Sequence, residues 1–577
     1  MSEISQESDA IWVYPENNPV LIQKIIGEFN IHPVTAQILV SRGFTELEDI
    51  HAFLYAKLPQ LHSPSLFLDM DKAVNRIILA RNKKQKILVF GDNDVDGMTG
   101  AALLTEFFQK IGIQVFYYVP NRADLKESML GHALEFALKN SCSLIITVDC
   151  GITALKEIEE IEGKNLDVII TDHHEPTSKL PHCLATLNPK LINSSYPNRN
   201  LTGVGVAFKL AHALLNYLTE NQELPSEEID LKDFLDLVAL GTIADMGSLL
   251  GENRILVRYG LETLRKTKRI GLAKLFDICE LNISNLTPLD IGSKVAPRLN
   301  SLGRIADPKK GVELLLCKDS TTASDLANEL DLYNLKRQKI ERKASHEIEE
   351  YIANNPKILS EKAIVLHSEK WHPGIIPIIS ARIAKQYNRP CIIIAIEDGV
   401  GKGSIRTISK FPILPILKQK GDLLVNFGGH NYAAGLTIQK DNIESFKKHF
   451  IEQANSTLND QDITTKLYLD ARIDFRDLTF DFMESLRLLE PHGNENPPPL
   501  LYTDAKQSWQ PKVVGTSHLK IFLQQNDRSL EGIGFGMSEK EDILRRKNID
   551  LRVVFTPHIN IFLKKTSIQL YVKDFKI

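Results

Sequence analysis

The segment DVIITDHHEPT, residues 167–177, places a carboxylate and two imidazoles directly after an apolar run. Asp172, His173 and His174 follow Val168–Ile170, whose β-branched residues predict a strand. Polar groups at the end of a buried strand need partners, because they lose their hydration without compensation when left unpaired. A divalent metal suits carboxylates and imidazoles at once, so this segment predicts metal ligands.

A second acidic segment, GDNDVDGMTG, places Asp92, Asp94 and Asp96 between the apolar run KILVF and a predicted helix. Three alternating carboxylates repel one another unless cations neutralise them. An EF-hand calcium loop begins with the same D-x-D-x-D-G spacing. That alternative fails because the loop follows a strand rather than a helix, and because Leu103 stands where a bidentate Glu is required.

Two further carboxylates end predicted elements: Asp149 follows the strand SLIITV, and Asp245 ends the helical stretch FLDLVALGTIAD. Each Asp taken singly is more simply a helix cap or turn residue. In an open parallel sheet, however, functional groups collect at the carboxyl ends of the strands, so we expect these residues to converge. Such a set suits Mn²⁺ or Mg²⁺, and two ions would activate water for phosphodiester hydrolysis.

The elements that must position these groups follow an α/β pattern. From Lys86, short apolar runs alternate with helical segments, which predicts βαβ units and a doubly wound parallel sheet. The last region consists almost entirely of strand and turn signals, which favours a small β-barrel. We therefore expect a helical lead-in at residues 1–65, a catalytic domain at 66–317, a connector helix at 318–352, a second, smaller α/β domain at 353–457 and the barrel at 458–577.

The predicted helix at 318–352 carries apolar residues at helical spacing without an internal Gly or Pro. It is either a surface helix of the first domain or a connector between domains. Its length favours the connector.

Composition narrows the class of protein. The chain has 577 residues and a net charge of −4, so a uniformly basic nucleic-acid coat is excluded while local basic clefts are not. Its six cysteines lack paired short spacing, which is typical of reduced thiols and not of a zinc ribbon. Because the sequence has neither a signal-peptide pattern nor a run of about 20 apolar residues, we expect a cytoplasmic protein with no membrane contact.

The blocks GDNDVDG, VDCG, TDHH and LVALGTIAD resemble the four signature blocks of the DHH phosphoesterase superfamily. Further similar blocks include VPNR, LTGVGVAFKL, APRLNSLGR, GKGSIR and FGGHNYAAGL. Within the superfamily the resemblance is closest to the bacterial single-strand-specific exonucleases, and it covers residues 65–577. It implies a DHH-type sheet domain, an associated α/β domain and an OB-like barrel that binds single strands.

The resemblance also implies residue roles. The implied metal ligands, for two ions of Mn²⁺ or Mg²⁺, are Asp92, Asp94, Asp149, His173 and Asp245. Catalysis is implied for Asp94, Asp96 and His174. The implied substrate-binding residues are Arg122, Arg304, Trp371, His372, Ser404, Arg406 and His430. Arginine suits this role because its planar guanidinium binds phosphate through two hydrogen bonds. Without the resemblance, GKGSIR is equally well a turn, and His372 beside Trp371 a packed residue.

The sequence also departs from the family pattern. After VPNR the family has a Gly-Tyr-Gly stretch, whereas this chain has ADLKESMLGH, which affects how Arg122 is presented. Pro377 stands where Gly is usual, and His492 where Phe is usual. In the barrel, charge would come from Lys512, Lys520, Arg552, Lys564 and Lys565, and stacking on bases from Phe522, Phe555 or Phe562, unless these are core residues.

The function implied is a two-metal exonuclease that removes mononucleotides from single-stranded DNA in the 5′-to-3′ direction, in recombination and repair. We expect a monomer that acts with a helicase and a single-strand-binding protein. One rival is a DHH phosphodiesterase for short oligonucleotides or cyclic dinucleotides, which would lack the barrel. Another is a non-catalytic scaffold of a replication helicase, which would have lost the metal ligands.

Overall fold

The computed structural model divides into two compact units. The first unit combines residues 1–61, 248–258 and 466–577, and the second combines 62–247 and 259–465. The residues described are 10–121, 129–161, 163–224, 229–545, 549–562 and 565–577.

The lead-in is mainly helical, as expected, but it begins with a short strand. Prolines occupy the first turns of its first two helices, where the missing N–H breaks no helical hydrogen bond. The elements are β1 (Ile11–Val13), α1 (Pro19–Phe29), α2 (Pro33–Ser41) and α3 (Leu47–Leu54).

The next region contains a parallel sheet with helices between its strands, as the alternating pattern predicts. Its elements are α4 (Met70–Asn82), β2 (Lys86–Gly91), α5 (Val95–Lys110), β3 (Gln114–Tyr118), α6 (Met129–Lys139), β4 (Cys142–Val148), α7 (Leu155–Glu159), β5 (Asp167–Thr171) and β6 (Ala185–Leu187). The order across the sheet is β3-β2-β4-β5-β6, and every neighbouring pair is parallel. Strands β2, β4 and β5 therefore end side by side.

Helices follow the sheet in the chain. They are α8 (Gly203–Glu220), α9 (Leu235–Ala244), α10 (Gly251–Leu264), α11 (Ile270–Ile278), α12 (Pro288–Asp290), α13 (Ala296–Ile305), α14 (Lys309–Leu316) and α15 (Ser320–Asn354). Helix α15 is the long helix predicted at 318–352, and Asp319 caps it by accepting a hydrogen bond from the Thr322 N–H at 2.7 Å. It packs against α11 and α13 and also contacts α16, the first helix of the following domain.

The second α/β domain has a mixed sheet in the order β10-β11-β9-β8-β7, in which β7 and β8 are parallel and the other pairs antiparallel. The motif GKGSIR belongs to strand β9 and is not a turn. Pro377 lies in the first turn of α16, a position that tolerates proline. The elements are β7 (Ile364–Ser368), α16 (Ile376–Tyr387), β8 (Cys391–Glu397), β9 (Val400–Arg406), α17 (Ile413–Gln419), β10 (Leu424–Gly429), β11 (Ala433–Gln439), α18 (Ile443–Thr457) and α19 (Asp460–Ile463).

The last region is the predicted OB-like barrel. Its elements are β12 (Lys466–Tyr468), β13 (Ala471–Arg472), α20 (Phe480–Arg487), β14 (Leu501–Val514), β15 (His518–Gln525), β16 (Arg528–Gly534), β17 (Asp550–Phe562) and β18 (Lys565–Lys576). The sheet runs β14-β15-β16-β18-β17, and β17 pairs again with β14, which closes the barrel.

The lead-in and the barrel share one hydrophobic core. Strand β1 pairs in parallel with β12, and buried residues such as Ile38 and Phe53 cluster with Leu489 and Phe555. The separate lead-in at residues 1–65 expected from the sequence therefore packs as one unit with the C-terminal region.

All six cysteines are free. In the described part of the chain, none of the helices has both the length and the apolarity that crossing a bilayer demands.

Candidate metal centre and active site

The loop between β2 and α5 carries the first acidic group. Asp94 is the N-cap of α5, and its Oδ1 accepts hydrogen bonds from the N–H groups of Asp96 and Gly97 at 3.0 and 3.2 Å. The Val95 N–H is bound by Asn300 Oδ1 of α13 at 3.2 Å. The loop is therefore fixed both by its own cap and by a residue far along the chain.

Asp149 and His173 form the centre of the site. Asp149 follows β4 with a positive φ of 64°, and its side chain lies against Gly203, where a Cβ would come within 2.5 Å of the Asp149 Cβ. Its Oδ1 lies 3.0 Å from His173 Nε2. Both atoms are buried, and neither has a hydrogen-bond partner among the described residues. Two unsatisfied buried ligand atoms at this spacing are arranged to hold a shared cation.

Ligand atoms converge in three overlapping groups, each within 4.8 Å. The expected residues therefore lie together at one edge of the sheet, as the rule for the carboxyl ends of parallel strands predicts. The groups are Asp92, Asp94 and Asp149; Asp149, His173 and His174; and Asp96, His173 and Asp245.

Asp96 is engaged differently from its neighbours. Its two carboxylate oxygens accept the N–H groups of Gly203 and Val204, at 2.6 and 2.8 Å, at the start of α8. Burial, Asp245 and Asp94 raise its pKa well above the usual range, while those two hydrogen bonds oppose the rise. The residue proposed from the sequence as catalytic thus anchors α8 beneath the site, with Oδ2 at 3.8 Å from His173 Nε2.

Asp172 orients the histidine pair. Its Oδ1 accepts the His173 and His174 N–H groups at 2.7 and 3.0 Å and contacts His174 Nδ1 at 2.8 Å, while its Oδ2 accepts the Ile152 N–H at 2.9 Å. This buried carboxylate therefore sets the His174 ring orientation and leaves Nε2 as the ring nitrogen available to substrate.

The electrostatics of the site are those of crowded, buried acids. Burial and the neighbouring carboxylates raise the pKa of Asp149 well above its usual range and that of Asp245 to about 7. Burial and the His174 charge lower the pKa of His173 to about 3, which keeps its imidazole neutral. Burial alone would lower the pKa of His174, but its hydrogen bond with Asp172 raises it to about 9. These residues fit divalent cations, because positive charge would relieve the carboxylate repulsion and neutral His173 can donate a lone pair.

Of the predicted substrate residues, His372, Ser404, Arg406 and His430 belong to the second domain, whereas Arg304 belongs to α13. Arg304 Nη1 donates to the Gly374 carbonyl at 3.1 Å, and His372 Nδ1 accepts the Gly374 N–H at 3.0 Å, so both side chains contact the loop at Gly374. Arg406 Nη1 contacts Ser404 Oγ at 3.3 Å. The pKa of His430 is lowered mainly by burial and, to a smaller extent, by the positive charges of Arg406, Lys190 and His174.

The predicted substrate residue Trp371 is instead a core residue. Trp371 is 8% exposed in the core of the second domain, and its Nε1 donates to Glu347 Oε2 at 3.3 Å. We therefore expect it to support His372 and not to bind substrate. Arg122 lies outside the described residues.

Sequence reasoning missed Asn188, Asn300 and Gly303 as parts of the site. The buried Asn188 Nδ2 donates to the His174 carbonyl at 2.9 Å. Gly303 lets α13 approach the acidic loop, because a Cβ would lie 1.9 Å from the Asn93 carbonyl oxygen. Asn300 and Gly303 belong to the block APRLNSLGR, but nothing in the sequence of that block indicates that they contact the acidic loop.

The barrel residues predicted to stack on bases differ in their exposure. Phe555 is fully buried, whereas Phe522 is half-buried under the ammonium of Lys520, 5.4 Å from the ring centroid. Trp509, which the sequence reasoning passed over, is paired with Phe522 and is 72% exposed. Lys564 and the Phe562 side chain lie outside the described set.

The sequence matches three known families along its length. Residues 86–242 match the DHH family, N-terminal domain, residues 359–456 match the DHHA1 domain, and residues 469–574 match the RecJ OB domain. These segments coincide with the parallel sheet, the mixed sheet and the barrel.

Relatives extend over nearly the whole chain. The single-stranded-DNA-specific exonuclease RecJ of Bacillus subtilis is 34% identical over 96% of this chain and 69% of its own length. The protein of the same name from Haemophilus influenzae is 31% identical over 94% of this chain and 96% of its own. The crystal structure of Thermus thermophilus RecJ in complex with Mn²⁺ matches with a TM-score of 0.82 at 26% identity, covering 98% of this chain and 79% of that one. The chain therefore belongs to the RecJ family.

Proposed function

We propose that the chain is a metal-dependent exonuclease of single-stranded DNA. The observation that carries this proposal is the buried pair of Asp149 Oδ1 and His173 Nε2, unsatisfied and 3.0 Å apart at the centre of the acidic cluster. A scaffold without activity would not need ligand atoms kept buried and unpaired, since that arrangement costs folding free energy. The relatives named as exonucleases and the barrel support the same conclusion.

The metal ions would be Mn²⁺ or Mg²⁺, consistent with the oxygen-rich ligand set and with the Mn²⁺-bound Thermus structure. Residues that would hold them are Asp92, Asp94, Asp149, His173 and Asp245. When bound, two such ions supply an activated water and stabilise charge on the attacked phosphate.

The chain's own groups provide orientation and charge. Asp172 fixes the His174 ring, so that its free nitrogen can donate to a phosphate oxygen. Arg406, Ser404 and His430 from the second domain would hold phosphates next to the scissile bond. We infer from the family that digestion runs 5′ to 3′ and releases mononucleotides. A helicase that supplies unwound strands and a single-strand-binding protein are the partners we propose, in recombination and repair.

The test is degradation of single-stranded DNA labelled at the 5′ or the 3′ end, with Mn²⁺ or Mg²⁺. Asp94→Asn is the informative variant, because asparagine retains the N-cap of α5 and removes a ligand charge. Asp319→Asn makes the same change at the N-cap of α15, away from the cluster, and serves as the control.

We expect early mononucleotide release from the 5′ label by wild type and Asp319→Asn, and a loss of at least about 100-fold in Asp94→Asn. Early release from the 3′ label would reverse the proposed polarity. Intact long strands with cleaved dinucleotides would instead indicate a small-substrate phosphodiesterase.

A further inference from the structure

Lys190 lies on the loop after β6 and has no role in the site described so far. Asn188 fixes this loop: its Oδ1 accepts the Lys190 N–H at 2.8 Å, while its Nδ2 donates to the His174 carbonyl at 2.9 Å. Asn188 is 1% exposed. One buried amide therefore ties the Lys190 backbone to the histidine pair.

The Lys190 ammonium has one ion-pair partner in the described structure, Glu175. Lys190 Nζ lies 3.3 Å from Glu175 Oε1, and the two side chains are 21% and 65% exposed. Such a pair is weak, because an exposed carboxylate remains hydrated and the attraction is screened. A better anion would displace Glu175 easily.

The position of Lys190 relative to the site follows from its contacts with the segment that carries the histidine pair. Asn188 joins its backbone to the His174 carbonyl, and its Nζ lies 3.3 Å from an oxygen of Glu175, the residue that follows His174. Lys190 therefore lies beside the metal centre.

A cation is needed at this position on electrostatic grounds. The cluster contains carboxylates from Asp92, Asp94, Asp149 and Asp245, and a DNA strand brings further negative charge. Metal ions neutralise part of this charge, but the carboxylates still repel an approaching strand unless cationic side chains bind its phosphates. Lysine suits a strand that must move after each cleavage, since its ammonium is a point charge without a fixed geometry.

We propose that Lys190 is a further phosphate-binding residue. Its ammonium breaks the ion pair with Glu175 and binds a phosphate of the DNA strand next to the metal centre. This inference rests on the proposed exonuclease function. Glu175 then acts as a competing anion that holds the ammonium in place between successive strands.

The first test measures equilibrium binding of a dye-labelled single strand by fluorescence anisotropy, in EDTA so that no cleavage occurs, over about 0.05–0.3 M salt. Lys190→Ala should bind about tenfold more weakly at low salt, and its log–log salt slope should be shallower by about 0.7. Lys268→Ala is the matched control, because Lys268 pairs with Asp233 at 3.2 Å on the exposed surface of the same unit. It should leave affinity and slope unchanged.

The second test is a double-mutant cycle with Glu175→Gln. That variant should bind more tightly than wild type, because Lys190 no longer has to leave a carboxylate. If the gain acts through Lys190, it disappears in the Lys190→Ala background. A gain that persists there would mean that Glu175 merely repels DNA, and the proposed exchange would be wrong.

Steady-state degradation separates this inference from the function on which it rests. A raised KM with nearly unchanged kcat in Lys190→Ala supports a binding role. If wild type degrades single strands and Lys190→Ala matches it in KM and salt slope, Lys190 is not a phosphate contact. If wild type neither binds nor degrades them, the exonuclease proposal itself fails.

Discussion

Asp96 and Asp172 differ from Asp94 and Asp149 because backbone N–H groups engage both of their carboxylate oxygens. Asp149 and Asp245 instead each place an oxygen near His173 Nε2, at 3.0 and 3.7 Å. The cluster thus contains two kinds of acid: those that shape the site and those that would bind cations. An oxygen with several N–H donors is a poorer ligand, since its lone pairs are already in use.

Asp172→Asn tests the orienting role. Asparagine cannot accept all of the hydrogen bonds now made by the carboxylate, and it removes the negative partner of His174. We expect kcat on single-stranded DNA to fall about 10- to 100-fold. If Asp172 acts through His174, the same change in a His174→Ala background should add little, and an undiminished second loss would contradict this role.

His492 gives the first unit a dependence on acidity. Burial and the positive charges of Arg42 and Arg254 lower its pKa to about 3, and its Nδ1 has no hydrogen-bond partner among the described residues. Between pH 3 and its ordinary pKa of about 6.5, the unfolded chain binds the proton that the folded unit refuses. The folded state therefore keeps its full stability above about pH 6.5 and loses stability as the pH falls.

His492→Phe should remove this loss. Relative to wild type, the variant should gain about 2 kcal/mol in the free energy of unfolding between pH 7 and pH 5. Urea unfolding followed by tryptophan fluorescence in a Trp371→Phe background reports on the first unit, since Trp12 and Trp509 both belong to it. If the free energy of unfolding depended on pH in the same way in both proteins, folding would not lower the pKa of His492, and this explanation would be wrong.

At the residue scale the sequence predicts which groups converge better than it predicts what each does. The ligand candidates follow from strand ends in a parallel sheet, a rule that depends on local pattern alone. The role of Asp96 depends on Gly203 and Val204, and the core position of Trp371 depends on Glu347. Such partners are set by tertiary packing, which residue types and spacing do not reveal.

Among the elements, α13 contacts the acidic loop at two points. Gly303 lets the helix backbone approach the Asn93 carbonyl, and Asn300 from the same helix binds the N–H of Val95. Helix α13 therefore helps to fix the position of the loop. The position of the candidate ligand Asp94 depends on a helix about 200 residues away in the chain.

Gly303→Ala should displace α13 from the loop. Its Cβ would lie 1.9 Å from a backbone oxygen, so we expect a loss of about 1–3 kcal/mol in stability and weaker Mn²⁺ binding by calorimetric titration. Gly292→Ala is the control, because its Cβ would meet only Ile243 Cγ2 at 3.9 Å. Equal Mn²⁺ affinity in the two variants would show that the close approach does not position the ligands.

The elements themselves were largely predictable. Strands β2 to β5 and the long helix α15 lie where apolar periodicity places them. The three-residue strands β1 and β6 were not predicted, because each is too short to show a period and forms only by pairing with a neighbour. The sequence also does not decide whether GKGSIR is a turn or a strand. Its glycines make room for Ile394 and Leu436 on adjacent strands, and such neighbours are set by tertiary packing.

At the scale of the whole molecule, Arg254 joins the three chain segments of the first unit. Its buried guanidinium donates to the carbonyl of Phe53 at 2.8 Å, and to those of Leu488, Leu489 and Glu490 at 2.7–3.1 Å. It also stacks on the Phe53 ring at 3.8 Å. Residues from the start, middle and end of the chain thus meet at one side chain.

Arg254→Ala should therefore destabilise the first unit by about 3–5 kcal/mol, because it leaves several buried carbonyls without donors. Arg545→Ala removes a surface arginine of the same unit that pairs with Glu541 and Asp542, and it should cost less than about 1 kcal/mol. Urea unfolding in the Trp371→Phe background measures both. Similar losses would mean that Arg254 does not hold the segments together.

The discontinuity of the first unit has a consequence for how the protein is made. Helices α1 to α3 leave the ribosome long before the barrel with which they share a core, since roughly 400 residues separate Leu61 from Lys466. At about 5–20 residues per second, their apolar faces wait roughly 20–80 s for their partners. We expect these helices to expose apolar surface during translation, and synonymous codon changes that slow elongation between the two segments would lengthen that exposure.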